Sequence, residues 1–275
     1  MINNIRELFS YTFLQYALLV GVLVSLCAAL LGVLLVLRRY SMIGDGLSHV
    51  GFGALSVAYA LSLAPMAVAV PVVIVVAFLL LGISESPKIK GDSAIAVLSS
   101  SALAVGIVAN SLAGGSSSDL SGYLFGSILA LKKGDVILSV VLSLVVILLF
   151  VLFKNRIFAV TFDMPFAKSA GVHVKLYNML LAMLIAITVV VGMQIVGSML
   201  ISSLIIFPAL SAMHLSNSFK GVLVRSAVIS VGAFVMGLLL SLVFPAGLPA
   251  GAVIVLCNLF VLVICSVIGK ILNRG

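Results

Sequence analysis

Two ionisable residues stand in an otherwise apolar stretch, Asp45 and His49, within Ser41-Met42-Ile43-Gly44-Asp45-Gly46-Leu47-Ser48-His49-Val50-Gly51-Phe52-Gly53. On a helix, a spacing of four puts both side chains on one face, about 6 Å apart. A carboxylate and an imidazole are hard-to-borderline donors that suit Zn²⁺ or Mn²⁺ and suit soft Cu(I) poorly. An Asp inside a membrane span costs about 2.5–3.5 kcal/mol on insertion scales, so it usually faces a polar pathway and has a partner. Gly44, Gly46, Gly51 and Gly53 permit an unwound or closely packed backbone there. The pattern leaves three readings open: metal ligands, a structural polar pair in which Asp45 meets Arg39 and His49 is satisfied in the core, or a proton relay. Two donors are too few for a tetrahedral metal. His173 and His214 fall toward the cytoplasmic side and do not complete the set, whereas a second copy related by a two-fold axis would.

Other polar features are weaker. Met42, Met193 and Met199 are soft donors but read as packing, and Ser198, Ser202 and Ser203 read as helix-contact residues. Phe207-Pro208-Ala209 predicts a kink. Cys27, Cys257 and Cys265 lie inside apolar runs without disulfide or CxxC spacing. The chain has no G-x-x-x-x-G-K-[ST], no strand-linked G-x-G-x-x-G and no His-Asp-Ser constellation. It therefore reads as a non-enzyme without a permanently bound cofactor, and any uphill process must draw on a partner or an ion gradient.

The elements that hold these residues follow from composition. The 275 residues are 64% hydrophobic and 8% charged, with a mean hydropathy of +1.42, against about 25% charged in soluble domains. A soluble enzyme, a disordered chain and a peripheral anchor are excluded; the fold class is an all-α polytopic membrane protein. The net charge of +8 sits in short loops, which is a topology signal and not a nucleic-acid face. Charge-free stretches predict spans at 13–37, two within 40–84 broken near Ser62-Leu63-Ala64-Pro65, one at 93–114 and one at 136–153. Two more fall within 176–219, broken near Gly192–Gly197, and two within 226–269, broken at Pro245–Pro249. The total is nine; an eight-span count would demote 93–114, interrupted by Ser99-Ser100-Ser101. Twelve Lys and Arg fall in one set of loops and only Arg6, Lys132 and Lys133 in the other, which predicts the N-terminus outside and the C-terminus in the cytoplasm. The N-terminus lacks a signal-peptide cleavage site, so the first helix is expected to stay.

Two loops are long. Residues 114–134 predict an external segment whose half Tyr123–Ile128 rests at the interface. Residues 154–175 are cytoplasmic, and Pro165–Gly171 predicts a short helix with Asp163 as cap and Gly171 as terminator. A short helix there suits a docking contact.

Arg38-Arg39-Tyr40-Ser41-Met42-Ile43-Gly44-Asp45-Gly46-Leu47-Ser48-His49 closely resembles the signature of the zinc/manganese ABC permease family, roughly R-R-x-S-L-M-G-D-A-L-S-H. Tyr123–Ile128, Thr161–Val172 and Gly197–Ala209 match further family segments in order, so the resemblance covers essentially the whole chain as one permease domain, 1–275. It implies a homodimer or paired subunits in a bacterial inner membrane, two cytoplasmic ATP-binding cassette subunits, and an extracellular metal-binding protein delivering the ion. Asp45 and His49 would coordinate the transported metal; Asp163, Phe166, Ala167, Ser169 and Gly171 would contact the ATPase. Manganese-type members continue as S-H-A-V-L-P-G where this chain has Ser48-His49-Val50-Gly51-Phe52-Gly53, and Tyr123–Ile128 looks more like the zinc branch, so zinc is favoured and manganese is next. The alternatives are a proton-coupled secondary transporter acting without an ATPase, and a structural membrane scaffold. Hydropathy places Asp45 only a turn or two from Arg39, near the cytoplasmic side, whereas the implied task requires it deeper.

Overall fold

The computed structural model describes residues 12–84, 91–114, 126, 133–243 and 248–271, and every regular element among them is an α-helix. In chain order they are α1 Thr12–Leu37, α2 Ile43–Ala60, α3 Pro65–Ser84, α4 Gly91–Leu112, α5 Lys133–Phe162, α6 Met164–Ser169, α7 Val174–Val196, α8 Ser198–Leu215, α9 Phe219–Val243 and α10 Ala250–Ile271. The paired spans separate at the expected breakers. Ser62 at φ 55° and Pro65 divide α2 from α3, and Gly197 at φ 93° divides α7 from α8.

Eight of the described helices are long and apolar enough to cross a bilayer, namely all but α2 and α6. The weakest of the nine long helices is thus α2, and not 93–114. Asp45, His49 and four glycines lower the apolarity of α2. The serines of α4 matter less, since Ser100 returns its hydroxyl proton to the Ala96 carbonyl of its own helix (2.8 Å). Across its 18 residues, α2 rises about 27 Å, and most of its side chains are buried among other helices.

The segment 154–175 differs from its sequence reading as a loop: residues 154–162 continue α5 as helix, and Val174 and Lys175 already belong to α7. No breaker interrupts Lys154–Phe162. Arg156 Nη1 donates to the Tyr177 hydroxyl of α7 (2.6 Å), and the Thr161 hydroxyl donates to the Ile157 carbonyl (2.8 Å). A 30-residue helix rises about 45 Å, more than the roughly 30 Å hydrocarbon layer.

The core forms around α1, whose Leu14, Ala17, Val20, Val24, Leu31, Leu34 and Leu35 are buried. Hydroxyls stitch α9 to α1: Ser230 donates to the Ser25 carbonyl (3.0 Å) and Ser226 to the Ala29 carbonyl (3.3 Å). The outer faces of α4, α5, α9 and α10 expose Val105, Leu148, Val228 and Phe260, where acyl chains would lie. All three cysteines are free, and Cys27 is buried with its thiol on the Ser143 carbonyl (3.5 Å), a packing position.

Candidate metal centre on α2

The turn that delivers α2 is built on the double arginine. Arg39 adopts φ 61°, and the Tyr40 N–H reaches back to the Leu35 carbonyl (2.9 Å), reversing the chain after α1. Arg38 turns into the bundle, where Nε donates to Thr161 Oγ1 (3.1 Å) and Nη1 to Asn178 Oδ1 (2.8 Å). Three helix ends, of α1, α5 and α7, are thereby tied together. Arg39 is exposed, and the pairing with Asp45 weighed from sequence does not form.

Asp45 instead is bracketed. Its Oδ2 lies 3.7 Å from His49 Nε2, one turn along α2, and its Oδ1 accepts from the Ser202 hydroxyl of α8 at 3.2 Å. At 3.7 Å the first contact is an ion-pair distance, longer than a hydrogen bond, and it leaves the facing lone pairs available to a cation. The His49 side chain is 21% exposed and that of Asp45 38%. His49 Nδ1 is buried without a hydrogen-bond partner among the described residues. Both side chains thus face a partly open space at one flank of α2.

Glycines set the depth of this pair. A Cβ on Gly32 would overlap the Ile205 carbonyl, and one on Gly44 would lie 2.9 Å from Ile205 Cδ1, so α8 packs on α1 and α2 through bare backbone. Further along, Gly53 faces the Ala102 carbonyl of α4 with 2.6 Å to a hypothetical Cβ. Gly44, the neighbour of Asp45, thus packs on the same Ile205 that meets Gly32, and Asp45 lies beside the second turn of α8, at Ser202. Of the double arginine, Arg38 is held by Thr161 and Asn178 within the protein, while Arg39 is exposed.

The other candidates stay apart. Met193 is buried against Gly51, while Met42 and Met199 are exposed. His173 is exposed before α7, and the His214 backbone packs on Gly269. Pro208 lies inside α8. Among the described residues no three His, Cys, Asp or Glu side chains gather. One chain supplies one carboxylate and one imidazole. Sequence reasoning missed the partner Ser202, because nothing local to a serine 157 positions away marks it as facing Asp45.

The short helix predicted between α5 and α7 forms nearly as expected, over Met164–Ser169. Asp163 Oδ1 accepts from the Phe166 N–H (2.9 Å), Pro165 occupies the first turn, and Gly171 at φ 77° turns the chain out. The Ser169 hydroxyl donates to the Phe166 carbonyl (2.9 Å), Ala167 is buried, and the Phe166 ring is 63% exposed. Of the segment 114–134, expected from sequence to be external, residues 115–125 and 127–132 lie outside the described residues. Gly126, at φ 81°, abuts the backbone of Val196 at the α7–α8 junction.

Comparison with known proteins places the chain among transport proteins. Residues 10–269 match the family described as ABC 3 transport family. The chain is 31% identical to the manganese import system permease protein ScaB of Streptococcus gordonii, over 94% of this chain and 92% of the relative. It is 27% identical to the high-affinity zinc uptake system membrane protein ZnuB of Haemophilus influenzae, over 90% and 94%. Among solved structures, PsaBC from Streptococcus pneumoniae in complex with Fab superposes with a TM-score of 0.86 at 33% identity, covering 96% of this chain and 95% of that one.

Proposed function

This chain belongs to the ABC 3 transport family, and on that premise we propose that it is the membrane-spanning permease subunit of an ATP-driven importer for a divalent transition metal. The observation that carries the reading is the Asp45–His49 pair, open on one flank, on a glycine-packed helix within the bundle. One carboxylate oxygen and one imidazole nitrogen are half of a four-donor site. A second copy about a two-fold axis along the pore would supply the other half. The cargo is zinc or manganese. The Tyr123–Ile128 run favours zinc, and relatives named for manganese match at 30–31% identity beside one named for zinc at 27%.

The chain's partners on this reading are two cytoplasmic ATP-binding cassette subunits and an extracellular metal-binding protein, with the N-terminus outside. Asp163, Phe166, Ser169 and Gly171 make the ATPase contact, the Phe166 ring entering a groove of the partner, while Ala167, expected from sequence to join them, is buried and only seats the helix. The metal arrives at the outer mouth and is held between paired Asp45 and His49. ATP-driven closure, carried through α6 and the Arg38 tie between α1, α5 and α7, opens the inner side. The test is metal accumulation in cells expressing this chain with an ATPase partner. Zinc or manganese uptake that needs ATP and vanishes in Asp45→Ala supports the importer and identifies the ion. Uptake that persists without the ATPase, and follows a pH gradient, moves the protein to the proton-coupled class.

A further inference from the structure

We infer that Ser202 sets the metal preference of this permease by holding one oxygen of Asp45 away from the ion. The inference rests on Asp45 being a ligand, as proposed above. Its geometric basis is the bracketed carboxylate. Oδ2 faces His49 at 3.7 Å, while Oδ1 accepts from Ser202 Oγ at 3.2 Å. A cation entering between Asp45 and His49 therefore meets Oδ2 first and finds Oδ1 turned toward α8, accepting the Ser202 hydroxyl.

The hydroxyl is positioned by packing, not by chance approach of a mobile side chain. Ser202 sits one turn before Ile205 on the same face of α8, and Ile205 is wedged against Gly32 of α1 and Gly44 of α2. Gly44 is the residue next to Asp45. The glycines thus bring the α8 backbone near enough for a short hydroxyl to reach. The alternative acceptor for the single Ser202 proton is the Ser198 carbonyl of its own helix, at 3.3 Å. The carboxylate, being charged, is the stronger acceptor.

The consequence is a coordination number. With Oδ1 withheld, two chains offer two carboxylate oxygens and two imidazole nitrogens, a four-donor set of the kind tetrahedral Zn²⁺ takes. With Oδ1 released, each Asp45 can bind through both oxygens. The set then becomes six donors rich in oxygen, which suits Mn²⁺. Ser202 is a positioning residue here; it touches the ligand and not the metal. Hydrogen-bond partners of metal-bound side chains typically change affinity by 10–100-fold when removed, so its loss should be visible.

The experiment compares zinc and manganese uptake by wild type, Ser202→Ala, Ser202→Thr and Asp45→Ala, each assembled with the ATPase partner. Ser202→Ala is expected to move the zinc-to-manganese uptake ratio toward manganese by about tenfold, while Ser202→Thr, which keeps the hydroxyl, stays at the wild-type ratio. An unchanged ratio in Ser202→Ala overturns the inference, as does an equal shift in Ser202→Thr, which would mark a packing effect. A Ser202→Ala protein that no longer assembles overturns it too, since the hydroxyl would then support the fold and not the coordination. Retained uptake in Asp45→Ala, by contrast, removes the ligand assignment itself.

Discussion

The helix α2 and the helix α6 are opposite solutions to placing a functional segment. Six-residue α6 is specified almost entirely by its neighbours in sequence: a capping Asp163, a first-turn Pro165 and a left-handed Gly171. The 18 residues of α2 hold the Asp45–His49 pair but owe their position to residues far away: Gly32 on α1, Ala102 on α4, Ser202 and Ile205 on α8. A local device can rest at the surface, because water satisfies what the chain does not. A helix with an acid, an imidazole and four glycines can sit inside a membrane protein only where neighbouring helices cover its backbone and pair its polar atoms.

This contrast can be broken by experiment. The largest effect is expected at Asp45→Ala, which should reduce metal uptake to background while the ATPase still co-purifies; full uptake would make α2 a structural element only. Next is Gly32→Ala. The new methyl meets the Ile205 backbone, so α8 must shift, at about 1–3 kcal/mol of overpacking. Thermal stability in detergent should fall, and uptake with it, because Ser202 moves off Asp45; a variant of wild-type stability would show that α8 is not held there by close packing. At α6 the effects are smaller and separable. Gly171→Ala should cost about 1–2 kcal/mol for a side chain in the left-handed region, and Asp163→Ala about 1 kcal/mol for the lost cap. Both should weaken ATPase co-purification and leave the zinc-to-manganese ratio unmoved, and a changed ratio would tie α6 to the metal site directly. The smallest is Met199→Leu. This side chain is exposed, so uptake should match wild type, and a loss would bring a thioether into the pathway.

Much was legible before any coordinates. The span interruptions at Ser62–Pro65 and Gly197 follow from residues that locally disfavour helix, and the polar pair on α2 from a period of four. The extent of α5 was not. Lys154-Asn155-Arg156 reads as the start of a loop because charge usually ends a span, yet Arg156 finds Tyr177 across the bundle and the helix runs on to Phe162. The weak span was misplaced for a related reason. Three consecutive serines look costly in α4, but a helix absorbs hydroxyls into its own carbonyls, as Ser100 does, whereas the charge and imidazole of α2 require partners from elsewhere.

The class of protein, the helix boundaries set by Gly and Pro, the cap of α6 and the pair Asp45–His49 are all written in the order of residues along the chain. All of these depend on composition or on contacts within a turn or two of chain. Packing between distant helices settles that Arg38 is taken by Thr161 and Asn178, that Gly32 and Gly44 share Ile205, and that Ser202 donates to Asp45 Oδ1. The Arg38 and Asp45 hydrogen bonds join residues 123, 140 and 157 positions apart, and a serine that will meet a carboxylate across a helix interface carries the same local signal as one that meets nothing but its own backbone.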